Sequence, residues 1–327
     1  MGVKELLVKT SFSTNFVAHV LACLRVLPSS GYECGDATLE GHEFAESLGR
    51  EFRCRPPLAG GPLFTLFFQI PAYFEGSSLS DVLDTYSVVE DCVRSRSFDP
   101  LRPALGVRVE EWFPREVEEE FFRGLAGYGE LRLLAAIGRL KGVLAEAFEG
   151  YQLEMWGEAV ERIGRVREAV EAVLGDADII GLWEDLLGLD FPFNRFVALL
   201  CEPCGAVSSL LAEKVVVPSR AGVVDLVNAV VHEAGVHFFT PRRLLQHPDL
   251  RSRYLHDRLG TLRAVEALAS YLKTGVLASL GVALERDMFV EGMKLQREVE
   301  LVRKLDEEGA LEDPYSAILR VLEGGGR

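Results

Sequence analysis

The feature that most constrains the fold is a series of three helical patterns in the middle of the chain. Residues 116–126, 130–150 and 155–174 carry apolar side chains every three or four positions, with charged side chains between them. This is the period of an amphipathic α-helix, and the Glu, Arg, Ala and Leu residues that fill it are strong helix formers. The sequence therefore predicts that helices dominate residues 115–190.

Shorter patterns predict the elements on either side. Further helices are expected at 15–26, 80–95, 179–189, 223–238, 262–280 and 287–307, with a last short helix that opens at Asp313 or Pro314. Brief apolar runs at 63–70, 196–200 and 214–217 predict buried strands. A short helix is expected at 206–211, and a linker with a strand at 106–109 precedes the helical region.

These patterns together predict an α+β fold that is mainly α. The 327 residues of the chain are enough for two domains, and the change from mixed patterns to long helical ones lies near residue 114. We therefore expect an N-terminal α/β segment over residues 1–113 and a helical domain over residues 114–327.

The balance of charges limits the partners that the chain can bind. Asp and Glu number 50 against 35 Lys and Arg, which gives a net charge of −15, and such a chain repels nucleic acid at long range. No stretch approaches the roughly 18–20 apolar residues of a membrane helix, and residues 1–10 lack the apolar run of a secretory signal. We expect a cytoplasmic protein that binds neither nucleic acid nor membranes, and the sequence leaves its oligomeric state open.

The six cysteines do not predict a disulfide framework, because disulfides are rare in cytosolic proteins of this size. Cys201 and Cys204 form a C-x-P-C motif directly after a predicted strand, a pattern also found in thioredoxin-type redox sites. A structural disulfide, a pair of buried thiols and a redox-active pair are the three alternatives for this motif.

The most specific motif is HEAGVH at residues 232–237, which has the pattern H-E-x-x-x-H. In the shorter zinc motif H-E-x-x-H, two histidines share one helix face and the Glu acts as a general base. The longer spacing turns His237 about 140° away from His232 on a regular helix of 3.6 residues per turn. The two imidazoles are therefore expected to share a metal only if the helix widens by a residue, as at a π-bulge, and Gly235 would ease that change.

The helix that carries this motif is predicted to be buried, because it is apolar on nearly all sides before residue 232. Two histidines and a glutamate inside a protein need partners, and a metal ion is one such partner. The alternative is that His232 and Glu233 form an ordinary hydrogen-bonded pair in the core while His237 faces solvent.

A catalytic zinc needs a third protein ligand and an open position for water. The downstream candidates are Asp249, Asp257, Glu266, Glu285, His247 and His256. Glu266 is favoured because it lies in an otherwise apolar stretch of helix, where a carboxylate is costly to bury unless it is paired or ligated. The alternative is an exposed Glu266 that pairs with Arg263, three residues earlier on the same helix.

The combined segment VVHEAGVHFF…QHP…TLRAVEALASYL, within residues 214–272, resembles the QEGLA-motif family of zinc metallopeptidases. Microtubule-associated tyrosine carboxypeptidases are similar to that family as well. Its members carry H-E-x-x-x-H, then a Gln-Pro turn, then Glu-Gly-Leu-Ala. This chain departs from the pattern at Val265 and Ala267, which replace the Gln and Gly around the Glu, and at His247, which is inserted in the Gln-Pro turn. The Asn that follows the second His in the family is missing here, and Arg243 stands near its place.

The resemblance implies a zincin-like core and a zinc-dependent, carboxypeptidase-like metallopeptidase that acts on a peptide or protein; the sequence leaves open whether cleavage is exo or endo. His232, His237 and Glu266 would hold a single zinc ion per chain, and Glu233 would be the general base. Candidate donors to the oxyanion are His247, Tyr254, His256 and Tyr271, and candidate cations for a terminal carboxylate are Arg242, Arg243 and Arg258.

Two other functions remain open from the sequence. The chain could be a non-catalytic metal-binding or regulatory module with a degenerate or structural zinc site, in which His247 or His256 fills the fourth position. It could also be a thiol–disulfide protein that uses Cys201 and Cys204.

Overall fold

The computed structural model describes residues 4–27, 32–34, 65–106, 108–211 and 213–325. The helices are α1 Phe12–Cys23, α2 Thr65–Gln69, α3 Leu79–Ser95, α4 Leu101–Leu105, α5 Val109–Trp112, α6 Arg115–Tyr128, α7 Glu130–Gly150, α8 Gly157–Leu174, α9 Ile179–Leu187, α10 Val223–Val236, α11 Pro241–Gln246, α12 Pro248–His256, α13 Arg258–Ser279, α14 Met288–Met293, α15 Gln296–Glu307 and α16 Pro314–Gly325. The strands are β1 Glu5–Thr10, β2 Arg195–Cys201, β3 Ser208–Leu211 and β4 Lys214–Pro218. This confirms the predicted α+β fold that is mainly α.

The strands form one mixed sheet in the order β1-β2-β4-β3. β2 runs parallel to β4, with Val197 opposite Lys214 and Cys201 opposite Pro218, whereas β3 runs antiparallel to β4. The apolar residues of β2 and β4 are buried, as continuous apolar runs in parallel strands should be. The predicted strands at 196–200 and 214–217 are therefore confirmed.

The long helical patterns are also confirmed, as helices α6, α7 and α8. One feature of this region was not predicted: a π-helical turn at Tyr151–Trp156 joins α7 to α8. The ring of Tyr151 is buried there and packs at 5.2 Å from that of Phe16. A widened turn thus occurs in this chain, at a place other than the HEAGVH motif.

Three short predictions are wrong. Residues 65–69 form α2 and Ile70–Tyr73 form a 3-10 turn, where a strand was expected over 63–70 (residues 63 and 64 lie outside the described part). Residues 208–211 are β3 and not a helix. The described residues of the expected strand at 106–109 lie between α4 and the start of α5, and residue 107 lies outside the described part. Periodicity cannot separate a strand from a helix in apolar runs this short, and tertiary packing decides.

The long helix predicted over 287–307 is interrupted. The structure has α14 and α15 there, separated at Lys294, whose φ of 54° is left-handed. Two helices that the sequence did not predict, α11 and α12, lie between the motif helix α10 and α13. No helix among the described residues is long and apolar enough to cross a bilayer.

The chain divides into two compact units. Unit 1 comprises Met1–Leu7, Val170–Phe196 and Gly222–Arg327, and unit 2 comprises Val8–Ala169 and Val197–Ala221. These bounds differ from the predicted division between residues 113 and 114. Compact packing does not test which segments fold by themselves, so that division stays a prediction. All the candidate metal ligands lie in unit 1.

Two disulfides are present in unit 2, Cys23–Cys34 and Cys201–Cys204, although the cysteine content predicted no disulfide framework. Of the three alternatives for C-x-P-C, the pair of free thiols is therefore wrong. β3 follows this motif in place of the predicted helix, so the helix N-terminus that activates a thioredoxin-type cysteine is missing. The loop is held by Glu202, whose carboxylate accepts two hydrogen bonds from Arg162 at 2.9 and 3.2 Å. These contacts are typical of a structural disulfide.

Candidate metal centre

Two packed helices of unit 1, α10 and α13, build the candidate site. Residues Leu226–Gly235 of α10 are buried without interruption, as its apolar sequence predicts. The start of α13 is capped by Asp257, whose carboxylate accepts a hydrogen bond from the Gly260 N–H at 2.9 Å. The sequence of α13 is largely apolar, and Glu266 lies in the interior of this helix, which packs against α10.

His232 and Glu266 meet between these helices. Nε2 of His232 donates a hydrogen bond of 2.7 Å to Oε2 of Glu266, and the side chains are 0% and 17% exposed. Arg263 instead binds Glu298 at 2.6 Å and two backbone carbonyls. The alternative in which Glu266 pairs with Arg263 is therefore wrong.

His232 is suited to be a neutral ligand. Burial, together with the nearby positive charge of Lys273, holds the pKa of its imidazole below the usual range. A neutral imidazole keeps a nitrogen lone pair for a metal or a hydrogen bond. Its Nδ1 is buried and has no hydrogen-bond partner among the described residues.

His237 is not brought to this pair. α10 keeps its α-helical form to Val236, with His237 as its C-cap, so the widened turn that the spacing requires does not occur here. The His237 ring is fully buried, 4.8 Å from that of Phe196, and the alternative in which it faces solvent is wrong. Among the described residues, no three or more His, Cys, Asp or Glu side chains are grouped to hold a metal.

The tautomer of His237 is nevertheless fixed. Its Nδ1 donates a hydrogen bond of 2.6 Å to the Glu233 carbonyl oxygen, which leaves Nε2 as the nitrogen with the lone pair. Histidines that bind metals through Nε2 commonly make this kind of bond with Nδ1. Glu233 follows His232 directly on α10, and its side chain is 8% exposed.

Gly235 has a packing role that differs from the predicted one. A Cβ atom on Gly235 would lie 2.4 Å from Cζ2 of Trp183, far inside contact distance. The Trp183 ring is fully buried, and its Nε1 donates a hydrogen bond of 3.0 Å to the Val231 carbonyl. Glycine is therefore needed for the close approach of Trp183 to a regular helix.

We expect Gly235→Ala to lower the free energy of unfolding by about 1–3 kcal/mol, the usual cost of overpacking a core. The matched control is Gly275→Ala in α13, where a Cβ meets nothing within 4 Å; it should raise stability by about 0.5–1 kcal/mol. Urea unfolding of both variants measures the difference. Equal stabilities would contradict the packing role of Gly235.

Further polar atoms without a hydrogen-bond partner among the described residues lie on the same faces of α10 and α13 as His232 and Glu266. Asn228 lies one turn before His232, and Ser270 lies one turn after Glu266, so each shares a face with its neighbour in the pair. Both are buried, and neither amide atom of Asn228 nor the Ser270 hydroxyl has a hydrogen-bond partner among the described residues. Buried polar groups without partners destabilise a fold, and such sites are often retained for function.

We expect Asn228→Leu to raise the free energy of unfolding by about 1–3 kcal/mol, because it removes two buried polar atoms that lack partners. The matched control is Asn15→Leu, which should destabilise the protein. Asn15 is equally buried, but its amide donates to Ser11 and Leu200 and accepts from the Glu202 N–H. Chemical denaturation of both variants tests this, and a loss of stability in Asn228→Leu would contradict it.

Three residues near the His232–Glu266 pair were not predicted from the sequence: Lys273, Asp287 and Phe289. The Phe289 ring stacks on that of His232 at 3.7 Å, and Nζ of Lys273 donates to Oδ1 of Asp287 at 2.8 Å. Burial lowers the pKa of Lys273. A lysine in the apolar helix α13, seven residues after Glu266 and hence on the same side, was the available signal.

The other predicted residues have partners of their own. His247 stacks on Tyr315 at 5.0 Å, and Nδ1 of the exposed His256 donates to the Ser252 carbonyl at 2.7 Å. Tyr271 donates to Asp306 at 2.6 Å, Arg258 lies over the Tyr254 ring, and Arg243 donates to two backbone carbonyls. None of these contacts is to His232 or Glu266.

No model of a protein family matches this chain, and no curated protein or solved structure matches it either. The function is therefore inferred from the residues of the site and from the motif that they form.

Proposed function

We propose that this protein is a zinc-dependent metallopeptidase with a zincin-like core, carboxypeptidase-like in its action and similar to the QEGLA-motif family. The observation that carries the proposal is the 2.7 Å hydrogen bond between His232 and Glu266. The apolar stretch around Glu266 and the resemblance to the QEGLA-motif family predicted Glu266 as the partner of the HEAGVH helix, although 34 residues separate it from His232. The hydrogen bond satisfies both groups at a helix interface, where either one would be costly without a partner.

The chemistry of the donor set fits zinc. Imidazole nitrogen and carboxylate oxygen are among its preferred ligands, and the unpartnered Nδ1 of His232 leaves that ring short of one hydrogen-bond partner. His232 and Glu266 would bind the ion from α10 and α13. His237 would be the third ligand by its sequence position and its tautomer, and its ring, which contacts Phe196 in the present conformation, would have to move to reach the ion.

A zinc ion held by His232, His237 and Glu266 would supply Lewis-acid activation of the peptide carbonyl and of water. Glu233 would act as the general base that accepts a proton from the attacking water and returns it to the leaving amine. Its side chain is almost fully buried on the same helix as His232.

The test is incubation of the zinc-loaded protein with a peptide library, followed by mass spectrometry of the products. We expect stepwise loss of residues from the C-terminus, loss of activity with a chelator, and recovery on addition of Zn²⁺. A protein that binds zinc but cleaves no peptide would overturn the peptidase proposal.

One observation favours a second function, that of a non-catalytic metal-binding or regulatory module. α10 is not widened, and only two of the three proposed ligands meet. A degenerate site of this kind would bind zinc weakly and would not distinguish Glu233 from glutamine. The same incubation separates the two functions, because only the peptidase releases products.

A further inference from the structure

The short helix α14 contacts the candidate site through its first turn. The Phe289 ring lies nearly parallel to that of His232, with 3.7 Å between the centroids and 23° between the planes. Phe289 is 8% exposed, so its ring covers one face of the imidazole. This leaves the edge of the His232 ring directed at Glu266.

Asp287 holds the start of α14 in place. Its Oδ1 accepts hydrogen bonds from the backbone N–H groups of Phe289 and Val290 at 3.0 and 3.4 Å, as an N-cap does. The same oxygen accepts from Nζ of Lys273 at 2.8 Å. One carboxylate thus connects the interior of α13 to the turn that carries Phe289.

Lys273 is an unusual residue for such a connection. Its side chain is fully buried, and Nζ lies 4.6 Å from the centroid of the Phe289 ring. A buried ammonium group is costly unless it is paired, and apolar residues of similar volume often stabilise a fold equally well. We therefore assign Lys273 a role in positioning: its ammonium group binds Asp287 and lies over the ring of Phe289.

We propose that Lys273 is a positioning residue of this site, which acts through Asp287 and Phe289 to hold the imidazole of His232 toward Glu266. Groups behind a ligating histidine fix its orientation, and their replacement typically weakens metal binding by about 10–100-fold. The part of the proposal that concerns zinc affinity rests on the proposed function. The part that concerns the His232 ring does not.

The first test follows the His232 ring protons by NMR in the metal-free protein. Stacking on Phe289 should shift them upfield in the wild type. We expect Phe289→Leu to lose that shift, which identifies the stacked ring as its cause, and Lys273→Met to lose most of it. Lys273→Arg should keep the shift, because arginine can retain the charge pair with Asp287. Unchanged shifts in Lys273→Met would overturn the proposal.

The matched control is Glu298→Gln. It breaks another part-buried ion pair of α13, that between Arg263 and Glu298 at 2.6 Å, without contact to His232. We expect this variant to keep both the upfield shift and the zinc affinity of the wild type. A loss of the shift in Glu298→Gln equal to that in Lys273→Met would mean that any disturbance of α13 moves the ring, and would overturn the proposal.

The second test measures zinc affinity by competition with a chromophoric chelator. We expect Lys273→Met to bind Zn²⁺ about 10–100-fold more weakly than the wild type, and Lys273→Arg to recover most of the loss. If the wild type binds no zinc, the proposed function fails while the NMR test still decides the positioning role. If Lys273→Met does not fold, Asp287→Asn gives the same decision, because it removes the charge that pairs with Lys273, keeps Phe289 and leaves a residue that can still cap α14.

Discussion

Replacing Glu233 with glutamine is expected to remove peptide hydrolysis while leaving zinc bound. Glutamine has nearly the same shape as glutamate, but it cannot accept a proton from the attacking water. General-base catalysis typically contributes about 10²–10⁴-fold to a rate, so we expect kcat/KM to fall by that factor. Steady-state kinetics on a peptide that the wild type cleaves measures the effect.

The control for this variant is Asp225→Asn, which removes a carboxylate from the first turn of the same helix. It should leave kcat/KM within about twofold of the wild type, because surface changes away from a site have small effects. Full activity in Glu233→Gln would contradict the proposed role of Glu233.

Replacing either His232 or Glu266 with alanine is expected to release the metal. Each change removes one of the two proposed ligands, whose side chains meet at 2.7 Å, and it leaves the other without that partner. We expect zinc affinity to fall by more than about 100-fold, beyond the range that is typical of groups outside the ligand set. Competition with a chelator measures the loss.

His256→Ala is the matched control for this pair of variants. His256 is an exposed histidine whose Nδ1 bonds to the Ser252 carbonyl, so its removal should leave zinc affinity unchanged. If His256→Ala lost the metal while Glu266→Ala kept it, the ligand set proposed here would be wrong.

The fold could be predicted where the sequence pattern is long. The helical period over residues 116–174 extends across many turns, and the structure has α6, α7 and α8 there. The runs at 63–70 and 206–211 are too short to show a period, so their apolar residues fit a strand and a helix equally well. Pairing with β4 made the second of them a strand, and this is a tertiary contact that no local pattern contains.

The site could be predicted in part for a similar reason. A glutamate in an apolar helix needs a partner, so Glu266 could be predicted, and the structure has it beside His232. The position of His237 depends on whether one turn of α10 widens, and the five-residue spacing predicts only that a shared metal would require this widening. The role of Lys273 could not be predicted from the sequence, because its partner, Asp287, lies outside α13, at the start of α14.

Elemental mass spectrometry of the purified wild-type protein, beside His237→Ala, tests the proposed metal centre. We expect about one zinc ion per chain in the wild type, the stoichiometry of a catalytic site, and a large loss of zinc in His237→Ala. Retention of zinc in that variant would remove His237 from the ligand set. A wild-type protein that holds no zinc, even after incubation with excess Zn²⁺, would contradict the proposal that His232 and Glu266 form a metal centre.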